Sequence, residues 1–181
     1  MAEEQVAIIE QTDSIDEGIS EVSEAVTKYL TFLINSETYG SDVDRIKEII
    51  EYSSVTRVPL TPKYLRGVIN LRGNVVPVID LAVRLGKETN KVGKRTCIII
   101  MEMQSDDEMV EIGFVVDEVD EVMDLTEEQI AMAPQFGTDI RPDFISGMGK
   151  LYDRFVVLLQ LEEVLSINEL SELVDIESNR R

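Results

Sequence analysis

An internal duplication constrains this chain more than any other feature. Residues 64–85, YLRGVINLRGNVVPVIDLAVRL, recur about eighty positions on as FISGMGKLYDRFVVLLQLEEVL. Tyr64 aligns with Phe144, Gly67 with Gly147 (147 − 67 = 80), and Val75-Val76-Pro77-Val78-Ile79 with Phe155-Val156-Val157-Leu158-Leu159. Upstream, Tyr39-Gly40 aligns with Ile112-Gly113, and Asp44, Glu48 and Ile49 with Asp117, Glu121 and Val122 (117 − 44 = 73). Pro59 and Pro134 follow at a similar interval. A repeat of about 75 to 80 residues is longer than a solenoid unit, so two copies predict two related subdomains.

Each copy reads mainly as strands. Residues 28–35 form an aromatic and branched run, followed by a turn and Tyr39-Gly40, which predicts a hairpin. Residues 42–52 are ambiguous, because Val43, Ile46, Ile49 and Ile50 stand at helical spacing; a turn at 42–45 followed by a strand is the favoured reading. Strands flank Arg72-Gly73-Asn74, where glycine suits a positive φ and asparagine tolerates one. Gly67 is taken with Gly73 as a turn-forming glycine. Pro77 predicts an edge or a bulge. Asp80 is placed as the cap of a short helix over 81–85 that Gly86 ends. Residues 87–94 are polar and read as the link between copies. Residues 96–103 and 109–116 predict a second hairpin. A loop follows over 134–143, and a last hairpin pivots near Tyr152-Asp153-Arg154. Residues 161–174 predict helix in one or two pieces, with Leu161, Val164, Leu165, Leu170 and Val174 on its apolar face.

At 181 residues the chain can bury a real core. Its formal charge is −19, from 36 acidic and 17 basic residues, which argues against a phosphate-backbone ligand, since that needs clustered Lys and Arg. Residues 1–26 carry eight acids and no Lys or Arg. They read as an acidic, disordered leader, with a short acidic partner-binding helix as the alternative. The start has no basic region followed by an apolar one, and no apolar stretch approaches the roughly 18 residues of a spanning helix. A single cysteine, Cys97, allows no internal disulfide and fits a reducing cytoplasm. The ends, a leader after Met1 and a polar tail, suggest a chain that is not a fragment of a larger protein.

Catalysis finds little support. There is no histidine, the commonest general base and metal ligand. Cys97 precedes Ile98-Ile99-Ile100, a setting for a buried structural thiol rather than a nucleophile. Gly86-Lys87, Gly93-Lys94 and Gly149-Lys150 all lack the remainder of a phosphate loop. Asp117, Asp120 and Asp124 lack the calcium-loop frame. A two-carboxylate hydrolase is the enzyme reading that counting leaves open. The unusual features that remain are the arginine hairpin and the two-copy plan. If a strand over 45–51 and the Arg72 hairpin border a groove between two barrels, Ile46 and Ile49 would offer apolar area there, with Glu48 and Arg72 setting orientation. The plainer reading makes Arg72 an exposed turn residue and Glu48 a solvated strand charge.

Gly67-Val68-Ile69-Asn70-Leu71-Arg72-Gly73, followed by Val76-Pro77-Val78-Ile79-Asp80-Leu81, resembles the hallmark of the CheW family of bacterial chemotaxis coupling proteins. Tyr39-Gly40, Ile46-Lys47-Glu48-Ile49, Thr56-Arg57-Val58-Pro59, Val115-Val116-Asp117-Glu118-Val119 and the segment from Leu125-Thr126 to Ala133-Pro134 agree in order. The resemblance covers about residues 28–166. It implies an all-β fold of two five-stranded SH3-like barrels, with no catalytic activity, cofactor or metal. The barrels are expected at about 28–87 and 95–160, after a leader over 1–27 and within a domain over 28–170, before a helix over 161–174 and a polar tail over 175–181. The implied partners are the regulatory domain of the histidine kinase CheA and the cytoplasmic tips of chemoreceptors, in arrays beneath the membrane. Ile46, Glu48, Ile49 and Arg72 match receptor-coupling positions, and the strand of Cys97 and Ile99 matches the region used against the kinase. The long leader and the charged hairpin at 105–108 depart from the family pattern. A CheV-like adaptor or a kinase regulatory module is the alternative.

Overall fold

The computed structural model describes residues 24–133 and 139–179. Most of the leader and the loop around Pro134 therefore lie outside the described residues. Strand β1 (Val26–Ile34) pairs with β2 (Glu37–Asp42) in the expected hairpin, whose turn residues Asn35 and Ser36 both have positive φ. A 3₁₀ turn, Val43–Arg45, starts at Asp42, whose side chain accepts from Asp44 N at 2.9 Å, and leads into β3 (Ile46–Glu51).

The strand reading of 42–52 holds, and the helical spacing has a physical cause. β3 pairs with β6 (Cys97–Ser105) as Ile46↔Met101, then Glu48↔Ile100 and Ile49↔Ile99, with one bulge between Ile46 and Glu48. The extra residue puts Ile46 and Ile49, three apart, on one face. Glu48 and Ile50 lie on the other.

Strands β4 (Leu65–Leu71) and β5 (Asn74–Asp80) flank the Arg72-Gly73 turn, and Asp80 caps helix α1 (Leu81–Arg84) by accepting from Val83 N at 3.2 Å. Two expectations change here. Gly67 forms no turn, because it lies within β4 at a bulge where a Cβ would meet the Thr56 carbonyl. Of the two readings of Pro77, the edge fails, since β5 runs between β4 and β7 (Glu108–Val116), while a bulge does lie next to it, between Leu65 and Gly67 of β4. Pro77 is tolerated one residue before the β5–β7 pairing, which starts at Val78↔Gly113.

The second copy continues with β8 (Glu118–Thr126), the two-residue β9 (Ile130–Ala131), β10 (Ile145–Leu151) and β11 (Arg154–Leu159). The chain ends in a 3₁₀ turn, Leu161–Glu163, and helix α2 (Ile167–Asn179), so the expected helix is in two pieces and runs on into the supposed polar tail. Leu161, Val164, Leu165 and Leu170 are buried as expected, and Leu173 with them.

The barrel boundaries drawn along the sequence, 28–87 and 95–160, do not match the sheets. One sheet has the order β8-β1-β2-β11-β10-β9 and the other β3-β6-β7-β5-β4, so each copy lends its first hairpin to the other copy's sheet. The exchange is reciprocal: Val157↔Tyr39 and Leu158↔Gly40 pair in parallel in one sheet, Val78↔Gly113 and Ile79↔Phe114 in the other. A hairpin satisfies its own register locally, and nothing within it states which sheet it will extend.

Three apolar clusters result. Ile69, Val76, Val78, Ile98, Ile100 and Val115 fill one barrel, and Met123, Leu125, Val156 and Leu158 the other. A larger cluster, including Phe32, Tyr39, Ile79, Ile99, Phe114, Leu159, Leu161 and Leu173, joins them. Arg84 stands at this junction. Its guanidinium lies 5.0 Å from the Tyr64 ring centre and 5.6 Å from that of Phe144, the aligned aromatics of the two copies. It donates to Val164 O at 2.6 Å and to Glu169 Oε2 at 2.9 Å, which ties α1 to the C-terminal segment.

Candidate partner-docking surface

Arg72 occupies the first position of a two-residue hairpin turn with φ 51°, and Gly73 follows at φ 86°. Both values belong to the left-handed region that right-twisted hairpins use, where glycine and asparagine are the residues of low cost. An arginine there is held at an energetic cost that its side chain must offset. Asn70 Oδ1 helps by accepting from Gly73 N at 2.9 Å.

The Arg72 guanidinium grips Glu48 with both terminal nitrogens, Nη1 at 3.3 Å from Oε2 and Nη2 against Oε1. The arginine side chain remains 63% exposed and that of Glu48 26%. The hydrogen bonds from Arg72 hold the Glu48 carboxyl below the usual carboxylate range, and Glu48 in turn raises the arginine. Next to Glu48, the bulge residue Lys47 places Nζ 2.5 Å from Glu102 Oε1 and 2.5 Å from Glu111 Oε1, and both carboxylates raise its ammonium. A charged rim thus runs from β7 through β6 and β3 to the Arg72 turn. Sequence reasoning missed Lys47, Glu102 and Glu111, since only the pairing Glu102↔Glu111 brings the two acids together.

The four residues expected at one docking site divide between the two faces of edge strand β3. Glu48 and Arg72 meet on one face. Ile46 and Ile49 share the other, where Ile46 packs on the central cluster and Ile49 is 41% exposed. The edge itself joins the two groups, because among the described residues no strand pairs with β3 on its outer side. Cys97 and Ile99 stand directly across from Glu51 and Ile49. Ile99 is fully buried and offers no surface to a partner. Cys97 is half-buried, donates from Sγ to Arg95 O at 3.3 Å, and has its thiol pushed up by burial.

The Arg72 hairpin does not border the cleft beside the C-terminal segment. That cleft, of about 830 Å³, is lined instead by Arg45, Arg84, Met103, Arg141, Phe144 and Leu170 among others, with Glu102, Asp143, Glu162 and Glu163 at its walls. Its arginines face its acids, Arg45 with Glu162 at 3.9 Å and Arg141 with Asp143 at 3.3 Å. Of the aspartates weighed for calcium, Asp117 accepts from Asn35 N at 2.7 Å and Asn90 Nδ2 at 2.6 Å, and Asp124 pairs with Lys28 at 2.9 Å. These carboxylates serve turns and strand edges.

The second copy repeats the hairpin with different chemistry. Tyr152, eighty residues after Arg72, has φ 54° at the equivalent turn position and is 79% exposed; Phe155 beside it is 61% exposed. The sequence alignment carried this signal, but not the exposure of the aromatics.

Comparison with known proteins gives this surface a context. The family model described as CheW-like domain matches residues 28–169. The chemotaxis protein CheW of Klebsiella aerogenes is 36% identical over 148 residues, spanning 82% of this chain and 86% of that one. CheW of Helicobacter pylori is 34% identical over 145 residues, spanning 80% and 85%. Among solved structures, the scaffolding protein TtCheW from Thermoanaerobacter tengcongensis superposes with a TM-score of 0.72 at 32% identity, covering 82% of this chain and 94% of that one.

Proposed function

This chain belongs to the CheW family and is a chemotaxis coupling adaptor, and we propose that its partners are the regulatory domain of the histidine kinase CheA and the cytoplasmic tips of chemoreceptors. The observation that carries the reading on this chain is the Arg72 turn. A left-handed arginine, 63% exposed and clamped by Glu48, is a pre-set donor fork on an otherwise acidic molecule.

A receptor tip is a helical hairpin, and an apolar helix face can lie along the β3 edge with Ile49 beneath it and Arg72 fixing its register. The kinase side is assigned to the start of β6, with Cys97 at the surface and Ile99 supporting it from the core. Single contacts of this size are weak, and a lattice of repeated contacts strengthens them. Control requires that receptor conformations hold this protein differently, since equal affinity for each would transmit nothing. Among the described residues no helix is long and apolar enough to cross a membrane. The family role places the protein in the cytoplasm, recruited to the membrane through receptors.

Co-sedimentation with native CheA and receptor cytoplasmic fragments, with kinase autophosphorylation followed in parallel, tests the reading. The expected result is three-way assembly with receptor-dependent kinase activity. Arg72→Ala is expected to lose receptor dependence while keeping its thermal midpoint and kinase binding; normal coupling in that variant would refute the assignment of Arg72.

A further inference from the structure

Glu102 of β6 and Glu111 of β7 are direct cross-strand partners. Like charges in that position repel unless a cation stands between them. Lys47 is that cation, 2.5 Å from each carboxylate. It reaches them because the β3 bulge turns this one residue out of register, immediately before Glu48. Lys47 directly precedes Glu48, so the carboxylate that holds Arg72 and the two carboxylates that hold Lys47 belong to one continuous rim. Three acids on one rim therefore share two cations, and the lysine decides the pairing. We propose that Lys47 is a positioning residue which, by occupying Glu102 and Glu111, keeps the Arg72 guanidinium on Glu48 and so sets the geometry of the docking fork.

The inference deepens the coupling role and rests on it for its consequence at the receptor. Without Lys47 the uncompensated Glu102–Glu111 pair becomes the stronger attractor, and Arg72 swings from β3 towards β7. An arginine drawn that way leaves Glu48 unpaired and the fork turned from the β3 edge. Lys47 itself needs no contact with any partner for this effect. Removing one of the two acids together with the lysine should abolish the competition and return Arg72 to Glu48.

The test uses the full chain as Lys47→Gln, Glu111→Gln and the double variant, with two readouts. In NMR, contacts from the Arg72 Nε–H to the Glu48 side-chain methylenes are expected in wild type, to give way to contacts with Glu111 in Lys47→Gln, and to return in Lys47→Gln/Glu111→Gln. Binding of receptor cytoplasmic fragments is expected to weaken about two- to fivefold in the single lysine variant, the scale of a surface ion pair, and to recover in the double variant. Arg72 staying on Glu48 in Lys47→Gln, or failing to return in the double variant, overturns the positioning role. If Arg72 moves and returns while receptor binding stays constant throughout, the positioning role stands and the receptor assignment of Arg72 falls.

Discussion

Gly67→Ala should be one of the most damaging single-atom additions near the docking hairpin. A Cβ there would stand 2.2 Å from the Thr56 carbonyl oxygen, 2.7 Å from its carbonyl carbon and 2.9 Å from Val55 Cγ1. Ordinary carbon contacts lie at about 3.5 Å, so the Thr56 backbone would have to retreat by about 1 Å. It is not free to do so, because Thr56 N donates to Val68 O at 2.9 Å and Val68 N to Thr56 O at 2.8 Å. Breaking two such bonds costs about 2 kcal/mol. Gly67 also sits at φ +150°, where a side chain adds strain of about 1–3 kcal/mol. The sum, about 3–5 kcal/mol, corresponds to a fall of about 10 °C in Tm for a chain of this size. Two further glycines calibrate the argument. Gly147, the aligned residue, has no such φ, and its Cβ would lie 2.8 Å from Ile130 Cγ2 and 3.0 Å from Ala131 O, so Gly147→Ala should cost about 1–3 kcal/mol. Gly73 has open space but φ +86°, so Gly73→Ala should cost about 1 kcal/mol. Urea unfolding of the three variants supplies the order. A cost under about 1 kcal/mol for Gly67→Ala, or no more than that of Gly147→Ala, would refute the steric reasoning.

Arg84→Gln should lower stability by about 2 kcal/mol, through the lost bonds to Val164 O and Glu169 and the lost stacking on Tyr64 and Phe144. Arg84→Lys should recover only part of this, since an ammonium cannot stack and fork together; full recovery in urea unfolding would contradict the geometry. Tyr39 is buried and donates to Glu37 at 2.6 Å, and burial first, then that bond, raises its phenol above the usual value near 10. The unfolded chain therefore ionises first, so the contribution is complete below about pH 10 and is lost as pH rises beyond it. Tyr39→Phe should flatten part of the decline in urea midpoint between pH 9 and 11, and an unchanged slope would count against it. Cys97, its thiol raised by burial, should react with a disulfide reagent at pH 7.5 about tenfold more slowly than free cysteine; equal rates would show a more open strand end.

Hairpins were the most legible part of the sequence, because each is specified locally. The Arg72-Gly73 turn, the Asp80 cap and the pivot at Tyr152 follow from residues a few positions apart. The exchange of hairpins between sheets was not legible, since it depends on pairings such as Leu158↔Gly40 between residues far apart in sequence. The docking surface was read in part. Glu48 and Arg72 do meet, but the β3 bulge that turns Ile46 and Ile49 to the opposite face mimics helical spacing and carries no marker of its own. Ile99, placed on the kinase side by resemblance, is buried, since a single apolar run does not reveal which residues a second sheet will cover. Lys47 escaped notice for the same reason: its partners lie 55 and 64 residues away.

The reciprocal exchange joins the two sheets through two short crossings. The chain crosses from one sheet to the other at Val43–Arg45 and again at Asp117, positions that align as Asp44 and Asp117 in the duplication. Asp117 is fixed by Asn35 and Asn90, and its own N–H bonds Leu33 O at 2.9 Å. Three residues of 3₁₀ turn join β3 to β2 in the other sheet, and Arg84 bonds across the junction of the two copies. The duplication gives one backbone plan two chemistries: Glu48, Ile49 and Arg72 in one barrel, Glu121, Val122 and Tyr152 at the aligned positions of the other. A charged fork and an exposed aromatic offer different chemistry, so a nearly symmetric fold acquires two distinguishable faces.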